Sequence, residues 1–560
     1  MTEIARISRP LTRRTFLAGT IATAVAACSD DDEATDVATS STAAPAGTTA
    51  EAPTTTAPPT TATTTTTPTL FEADPFTLGV ASGDPAAGSV ILWTRLAPAG
   101  SSPEEDVDVA WEIATDADFS TITASGVGRA LAALGHSVHI TAEGLEPDTS
   151  YHYRFEVAGF ESPIGRTRTF AAPGAMPERF RFAFASCQNW EQGHYAAYRD
   201  IVERDEIDAF VFLGDYIYEL ESGAYADPGG RTTGQDFETV TLDQYRARYA
   251  RYRSDPHLQA THALVPWVVT WDDHEVDNNY AGAISEDDAP TGEFLERRAA
   301  AYQAWYEFMP VRLDPPSGPD YPIHRTIGHG DLLSFNVLDT RQYRSDQQRL
   351  PPFLPALGDA VQVRDDELQF SPDHTMLGPE QRDWLIEQVE ASTAVWEVLA
   401  QQVFMFGGSA GPFDPPVVVV DTWDGYSGER RLLLETLAPV VDNLVVLTGD
   451  FHSAAVGELR ADPFDTSLPV VGVELMASAI SSASFNGDPV AAELVADALL
   501  ANPQIRFFDG RRGYTVCEVT PNRWTATSRA VIDPLDETSP VETISRWEIP
   551  VGSPSVTELT

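Results

Sequence analysis

Four short apolar runs in this chain each stop on side chains that bind metals, and that pattern restricts the fold more than any other feature. They are Phe182–Asn189 (FAFASCQN), Phe210–Glu219 (FVFLGDYIYE), Trp267–Asn279 (WVVTWDDHEVDNN) and Leu444–Ala454 (LVVLTGDFHSA). Each opens with mostly β-branched or aromatic residues, the composition of a buried strand. Each then delivers Cys, Asp, Tyr, His or Asn where the strand stops. In an open α/β sheet the strand ends line one crevice, so side chains distant in sequence can meet there. A soluble core has no need of four strands that end in anionic side chains. A polynuclear metal site does, and the fold class expected is α/β.

At 560 residues the chain exceeds one ordinary domain, so two domains plus tails are expected. The net charge of -48 comes from 84 acidic residues against 36 basic ones, and every basic one is arginine. Such a surface repels nucleic acid and anionic membranes, which argues against a dedicated nucleic-acid binder. Genome base composition or adaptation to salt accounts for the acidity, which bears on solubility more than on chemistry.

Residues 1–27 read as a twin-arginine signal peptide: Thr12-Arg13-Arg14-Thr15-Phe16-Leu17 precedes an apolar run ending at Ala27. That run falls well short of the roughly 20 residues a membrane span needs. Val25-Ala26-Ala27-Cys28 resembles a lipobox, which makes Cys28 the candidate lipidation site of a cell-surface lipoprotein. Plain cleavage nearby is the alternative and leaves a secreted or periplasmic protein. Residues 28–70 are acidic and then almost entirely Ala, Thr and Pro, an extended tether without a core. Of the three cysteines, Cys187 sits in a ligand-bearing strand end and Cys517 in a late strand. A Cys187–Cys517 disulfide is the structural alternative.

Residues 71–173 hold short alternating segments, among them Val90–Thr94, Val109–Ile113, Ser137–Ile140 and Tyr151–Phe155, spaced as in a small β-sandwich of immunoglobulin or fibronectin type. Leu145–Tyr151 (LEPDTSY) has the form of a tyrosine corner. With no ligand cluster here, a structural or docking role is expected, with carbohydrate or cell-wall binding as the rival. From 178 to 547 strands alternate with helical periodicity over His194–Asp205, Leu242–Arg253, Gly292–Phe308 and Gly378–Ala391.

The chemistry rests on the strand ends. In Gly214-Asp215-x-x-Tyr218 the glycine permits a tight turn, and Asp215 is the candidate bridging carboxylate. Two cations about 3.5–4 Å apart need shared negative charge between them. Tyr218 offers a phenolate, a hard anionic ligand suited to a trivalent ion. A turn aspartate and a core tyrosine are the plain alternative, which the three companion segments disfavour. Asp450 and His452 are two apart and share a face on an extended chain. Cys187 supplies a thiolate. Asp272 and Asp273 add carboxylates, and His274 is the candidate proton donor to the leaving oxygen. Arg341, in LDTRQYR after another strand, is the candidate phosphate clamp, with a structural ion pair as its alternative.

These segments resemble the alkaline phosphatase D (PhoD-like) family of bacterial metallophosphatases, in which FASCQ, GDYIYE, WDDHEVDNN and GDFHSA follow one another in this order. The resemblance runs from about Phe76 to Trp547, and the tandem of sandwich and catalytic domains behind a twin-arginine leader matches too. It implies a four-layer α/β sandwich of calcineurin-like type, whose strand ends read D-x-H, G-D, G-N-H and G-H-x-H. On that pattern Cys187 stands where the first aspartate would be, and Asp215 is the bridge. Asp273 replaces the asparagine before the histidine, here His274. Asp450 replaces the first histidine of the last motif, and His452 keeps the second.

One metal thus gains Cys187, Tyr218 and His452, while the other becomes oxygen-rich through Asp273 and Asp450. Thiolate with phenolate fits iron, and oxygen ligands fit Ca²⁺; the resemblance likewise implies Fe³⁺ with one or more Ca²⁺. Zn²⁺ suits the second site less well, since it lacks imidazoles. Asp272, Asn278 and Asn279 are candidates to complete the calcium shell, with capping or turn roles as the alternative.

The function expected is an exported metal-dependent phosphoric ester hydrolase, an alkaline phosphatase acting on monoesters with some diesterase activity. Paired cations would stabilise the transferring phosphoryl group and generate the nucleophile. The runner-up is a phospholipase D-like or teichoic-acid-type phosphodiesterase. From another class, a surface-anchored binding module with a dead hydrolase domain is disfavoured by the full set of anionic ligands. The partners expected are a phosphate ester substrate and a lipid anchor, on a monomer.

Overall fold

The computed structural model describes residues 71–97, 104–225, 230–347, 361–484 and 489–560. The twin-arginine leader, Cys28 and the tether therefore lie outside the described residues.

Two large sheets carry the fold. The first runs in the order Thr557–Glu558, Val541–Pro550, Arg523–Val531, Gly513–Val519, Phe180–Ala185, Ala209–Leu213, Trp267–Thr270, Val80–Gly83, Ser89–Arg95 and Ser137–Glu143. At its centre Phe180–Ala185, Ala209–Leu213 and Trp267–Thr270 are parallel, with Phe182 opposite Ala209 and Phe210 opposite Trp267. The second sheet has four parallel strands, Leu333–Val337, Trp396–Ala400, Leu444–Thr448 and Gly472–Met476, flanked by antiparallel ones. Parallel strands are covered on both faces, which is why AFVFL, WVVT and LVVLT are unbroken apolar runs, buried throughout.

The sheets share one core, with the Phe182 ring 5.2 Å from Phe335 and the Trp396 ring 5.7 Å from Trp524. Against the first sheet's other face pack Leu242–Arg253, Pro256–Leu264 and Thr291–Phe308. Against the second pack Gly378–Ala391 and Ser427–Leu437. Local sequence sets the helix starts. Thr241 and Gln244 form a reciprocal capping box, and Asp255 caps a helix whose first residue is Pro256. Leu242–Arg253 and Gly378–Ala391 have the bounds their periodicity predicts, and Ala196–Arg204 and Thr291–Phe308 differ by one or two residues.

Near the N-terminal end, Val107–Ala114, Ile122–Ala130, Ser150–Val157, Phe160–Glu161 and Gly165–Arg168 make a separate sheet, which shares a core with Ser89–Arg95 and Ser137–Glu143. The Tyr151 hydroxyl accepts the N–H of Glu146 at 2.9 Å. This region is stitched into the rest of the molecule. Val80–Gly83 continues the large sheet, with Gly83 opposite Trp267 and the Asp84 N–H donating to the Trp267 carbonyl at 3.0 Å. Trp93 donates to the Glu307 carbonyl at 3.0 Å, and His139 stacks on Tyr306 with ring centroids 4.4 Å apart. His329 accepts the N–H of Ala171 at Nδ1, 3.2 Å away. Cys187 and Cys517 are both free, so the disulfide alternative is excluded; Cys517 is core, opposite Phe182.

Candidate metal centre

The parallel strands of both sheets point their C-terminal ends at one place. Cys187 follows Phe180–Ala185, Asp215 follows Ala209–Leu213, Asp272 and Asp273 follow Trp267–Thr270, Arg341 follows Leu333–Val337, and Asp450 follows Leu444–Thr448. The two sheets are pinned together there by fully buried Gln402. Its amide donates to Thr270 Oγ1 (2.8 Å) and the Trp271 carbonyl (2.6 Å), and its oxygen accepts Thr340 N–H (3.1 Å).

The turns are tight. Cys187 (φ 54°), Asp215 (φ 59°), Asp450 (φ 61°) and His452 (φ 51°) all occupy the left-handed region, where non-glycine residues are uncommon. Such strain persists only where the surroundings over-determine it, and it gathers at functional sites. Gly214 (φ 101°) could not be replaced, because a Cβ there would lie 2.5 Å from Asp272 Cβ.

Three groups of potential ligands result, each with its atoms within 4.8 Å of one another: Cys187, Asp215 and His452; Asp215, Asp273 and His274; Asp272, Asp273 and Asp450. Asp215 belongs to two of them. Tyr218 completes the first, its hydroxyl donating to Asp215 Oδ2 at 2.9 Å and lying 3.0 Å from His452 Nε2. His452 Nδ1 donates to the Ala483 carbonyl at 3.0 Å, which leaves the Nε2 lone pair facing the cluster.

The electrostatics are those of a site built for cations. Burial and the Asp215 carboxylate push the Cys187 thiol and the Tyr218 phenol well above their usual ranges. Burial also raises Asp450 to about 7 and Asp272 well above the carboxylate range, with Arg341 opposing both. Burial works the same way on Asp273, but Arg341 and His274 outweigh it and hold that carboxyl low. Arg341 and Arg344 are too few to neutralise the negative charge gathered here. Moreover, Asp215 Oδ1 and Asp272 Oδ2 are buried with no hydrogen-bond partner, a costly arrangement unless a cation takes them. The residues therefore fit a pair of metal ions. A soft and phenolic set (Cys187, Tyr218, His452, Asp215) lies beside an oxygen-rich one (Asp272, Asp273, Asp450).

Two expectations take a different form. Arg341 is fully buried rather than free to clamp a phosphate. It pairs with Asp272, with Asp450 at 3.0 Å, with Asp421 at 3.2 Å and with Asp273 at 3.6 Å. Four carboxylates surround its guanidinium, and the structural ion pair is the arrangement present. Asn278 and Asn279 donate their side-chain amides to Glu286 at 2.7 and 3.1 Å, and the Asn279 N–H donates to Asp273 Oδ2 at 2.7 Å.

A family model described as "PhoD-like phosphatase" matches residues 182–528, and one described as "PhoD-like phosphatase, N-terminal domain" matches 61–171. "Alkaline phosphatase D" of Bacillus subtilis (strain 168) is 45% identical over 468 residues, covering 82% of this chain and 78% of the relative. The chain belongs to the PhoD-like phosphatase family. A solved structure titled "Structure of PhoD" superposes with a TM-score of 0.80 at 41% identity, covering 88% of this chain and 93% of that one. This PhoD-like phosphatase is accordingly a mixed α/β protein and a phosphoric ester hydrolase of the alkaline phosphatase D type.

In this PhoD-like phosphatase several residues outside the expected set hold the site together. Glu219 is fully buried; its Oε2 lies 2.7 Å from His274 Nδ1 and its Oε1 accepts the Asn278 N–H at 2.8 Å. Burial disfavours charge on His274, but Glu219, Asp215 and Asp273 more than offset it and raise its pKa. Its Nε2 lies 3.4 Å from the Tyr225 hydroxyl. Glu275 binds backbone N–H groups of two ligand-bearing turns. Both glutamates stand inside quoted motifs (GDYIYE and DDHE), and a carboxylate in an apolar strand-to-turn segment is the signal that marks them. Asp421 and Ser482 lie in segments that carry no such signal.

Proposed function

We propose that the chain is an exported, metal-dependent phosphomonoesterase that releases phosphate from organic phosphate esters, with phosphodiesters as secondary substrates. The observation that carries this reading is Asp215, a buried carboxylate common to a thiol–phenol–imidazole group and a carboxylate–histidine group, with one oxygen unpartnered. That is the position a carboxylate bridging two cations would hold.

Ferric iron with Cys187, Tyr218, His452 and Asp215, and calcium with Asp215, Asp272, Asp273 and Asp450, are the ions the ligand chemistry favours. When bound, such a pair stabilises charge on the transferring phosphoryl group and supplies an activated water at neutral pH. The chain's own residues do the rest. His274 is held through Nδ1 by Glu219, whose carboxylate favours the protonated ring, and its Nε2 would give a proton to the leaving oxygen. Arg341 balances the carboxylates instead of touching substrate.

Around this centre, the helix–sheet–sheet–helix stacking is read as the four-layer sandwich of calcineurin-like enzymes. The N-terminal sheets are read as an immunoglobulin-like sandwich, with domains at 71–173 and 178–547. Twin-arginine export carries folded proteins, which suits an enzyme loaded with metal before it leaves the cytoplasm. A lipid anchor at Cys28 and a monomeric state complete the reading.

The test is elemental analysis of the purified protein beside turnover of nitrophenyl phosphate and bis(nitrophenyl) phosphate. Iron and calcium with faster monoester turnover is the expected result. Zinc as the sole activating metal would refute the metal assignment, and faster diester turnover would favour the phosphodiesterase reading.

A further inference from the structure

The segment Ser478–Ser484 (SAISSAS) carries no charge and no strand-end motif, yet it touches three of the four residues around the thiol–phenol half of the centre. It leaves strand Gly472–Met476 and runs beside the Cys187 turn. Ala479 bridges to Ser186, and the Ile480 N–H donates to the Ser186 carbonyl at 3.0 Å. The Ser482 N–H donates to the Cys187 carbonyl at 3.3 Å. The Ala483 carbonyl fixes His452 through Nδ1, and the Ser484 hydroxyl donates to the His452 carbonyl. Ser482 itself is fully buried, and its hydroxyl lies 2.7 Å from Tyr218 Oη.

The direction of that last contact is settled by the phenol's own proton, which goes to Asp215 Oδ2 at 2.9 Å and leaves Tyr218 Oη an acceptor. The Asn189 N–H donates to Ser482 Oγ at 3.0 Å, occupying an acceptor site. A hydroxyl has a single proton, and here it has Tyr218 Oη to receive it. The chain Asn189 N–H to Ser482 O–H to Tyr218 Oη therefore ends on the same phenol oxygen that contacts Asp215. Tyr218 loses its own proton to become a ligand, but the donor remains. Outer-shell donors of this kind orient a ligand and draw charge from it.

We infer that Ser482 is a positioning residue that donates a hydrogen bond to the Tyr218 phenolate and so tunes its bond to iron. The inference rests on the iron reading above, and colour separates the two. A phenolate deprived of its donor holds more charge on oxygen, which brings its electrons nearer in energy to the iron acceptor orbitals. The test uses the full-length holoprotein and reads the visible charge-transfer band together with iron retention against a chelator. Ser482→Ala should move the band to longer wavelength and weaken iron binding by about 10–100-fold. Ser482→Thr keeps the donor and should return the band to its wild-type position. Ser481→Ala, whose hydroxyl donates only to the Asn189 carbonyl at 2.7 Å, should leave the band in place. Should the alanine variant not accumulate, Ser482→Cys, with its weaker donor, should give an intermediate position. A coloured Ser482→Ala or Ser482→Cys protein whose band coincides with wild type overturns the inference and leaves the iron reading intact. A colourless, iron-free wild type overturns both.

Discussion

Asp215 is suspended from Glu275: one Glu275 oxygen accepts the Asp215 N–H at 3.0 Å and also the Asp272 N–H at 2.7 Å. The other accepts the Tyr216 N–H at 2.5 Å. One buried side chain thereby sets the spacing between two turns that present carboxylates from neighbouring strands. Burial and the nearby Asp215 raise Glu275 to about 8, with the backbone donors opposing them.

Glu275→Ala would leave three buried N–H groups unpaired, at about 1–3 kcal/mol each. Its effect should appear as a lower melting temperature of the apoprotein together with loss of bound metal. Glu275→Gln keeps one acceptor oxygen and should fall between the two. An alanine variant that melts with wild type and retains full metal content would show that the suspension is unimportant.

His274 acting as proton donor makes a prediction about leaving groups. His274→Ala should lower kcat on an alkyl phosphate by about 10²–10⁴-fold, the usual range for general acid catalysis. It should lower kcat on nitrophenyl phosphate much less, because nitrophenolate leaves without a proton. Glu219→Gln should show the same selectivity at smaller magnitude, since it removes the carboxylate that holds Nδ1. Equal losses on both substrates would assign His274 to the ligand shell instead.

Arg341 supplies the cation that three carboxylates need when no metal is bound. Arg341→Met should destabilise the apoprotein by about 3–5 kcal/mol, the cost of breaking a buried ionic cluster from one side. Added Ca²⁺ should restore more stability to the variant than it adds to wild type, by offering charge to Asp272, Asp273 and Asp450. Thermal unfolding with and without Ca²⁺ reads both effects. An equal calcium increment in the two proteins would place calcium elsewhere.

His329 gives a pH dependence remote from the metals. Burial lowers its pKa from 6.5 to about 4, and the neutral ring accepts the Ala171 N–H. Between those values the unfolded chain takes up a proton that the folded one refuses. The stability this site contributes is therefore complete above pH 6.5 and lost as pH falls toward 4, by about 3 kcal/mol at most. His329→Asn retains an acceptor without titrating, so its melting temperature should fall less steeply than wild type across that window. Parallel pH profiles would refute the linkage.

Much of the site was legible in the sequence because buried parallel strands advertise themselves. FAFASC, FVFLGD, WVVTWDD and LVVLTGD each name a strand and the ligand at its end, and the four ends do converge. What was hidden was what holds them. Glu219 and Glu275 stand in the motifs, but only their backbone donors show that they brace the turns. Ser482 lies 264 residues from Tyr218, in a segment of small polar residues with no period. The place of Arg341 after a strand is readable, but its pairing depends on where four aspartates from other segments meet it. Val80–Gly83 carries no strand signal for another reason: four residues of Val, Ala, Ser and Gly show neither alternation nor bulk. The C-terminal antiparallel strands Gly513–Val519, Arg523–Val531 and Val541–Pro550 extend the first sheet far beyond its parallel centre. No strand-end ligand marks them.

The pairing of Gly83 with Trp267 has a practical side. A shortened enzyme beginning near residue 178 would strip the neighbour from strand Trp267–Thr270, which leads directly to Asp272, Asp273 and His274. That strand would become a mostly apolar sheet border with bare amides, the kind that recruits a second copy edge to edge. Removing residues 71–173 would thus endanger the turn that carries Asp272, Asp273 and His274, and that stretch is better regarded as its lateral buttress.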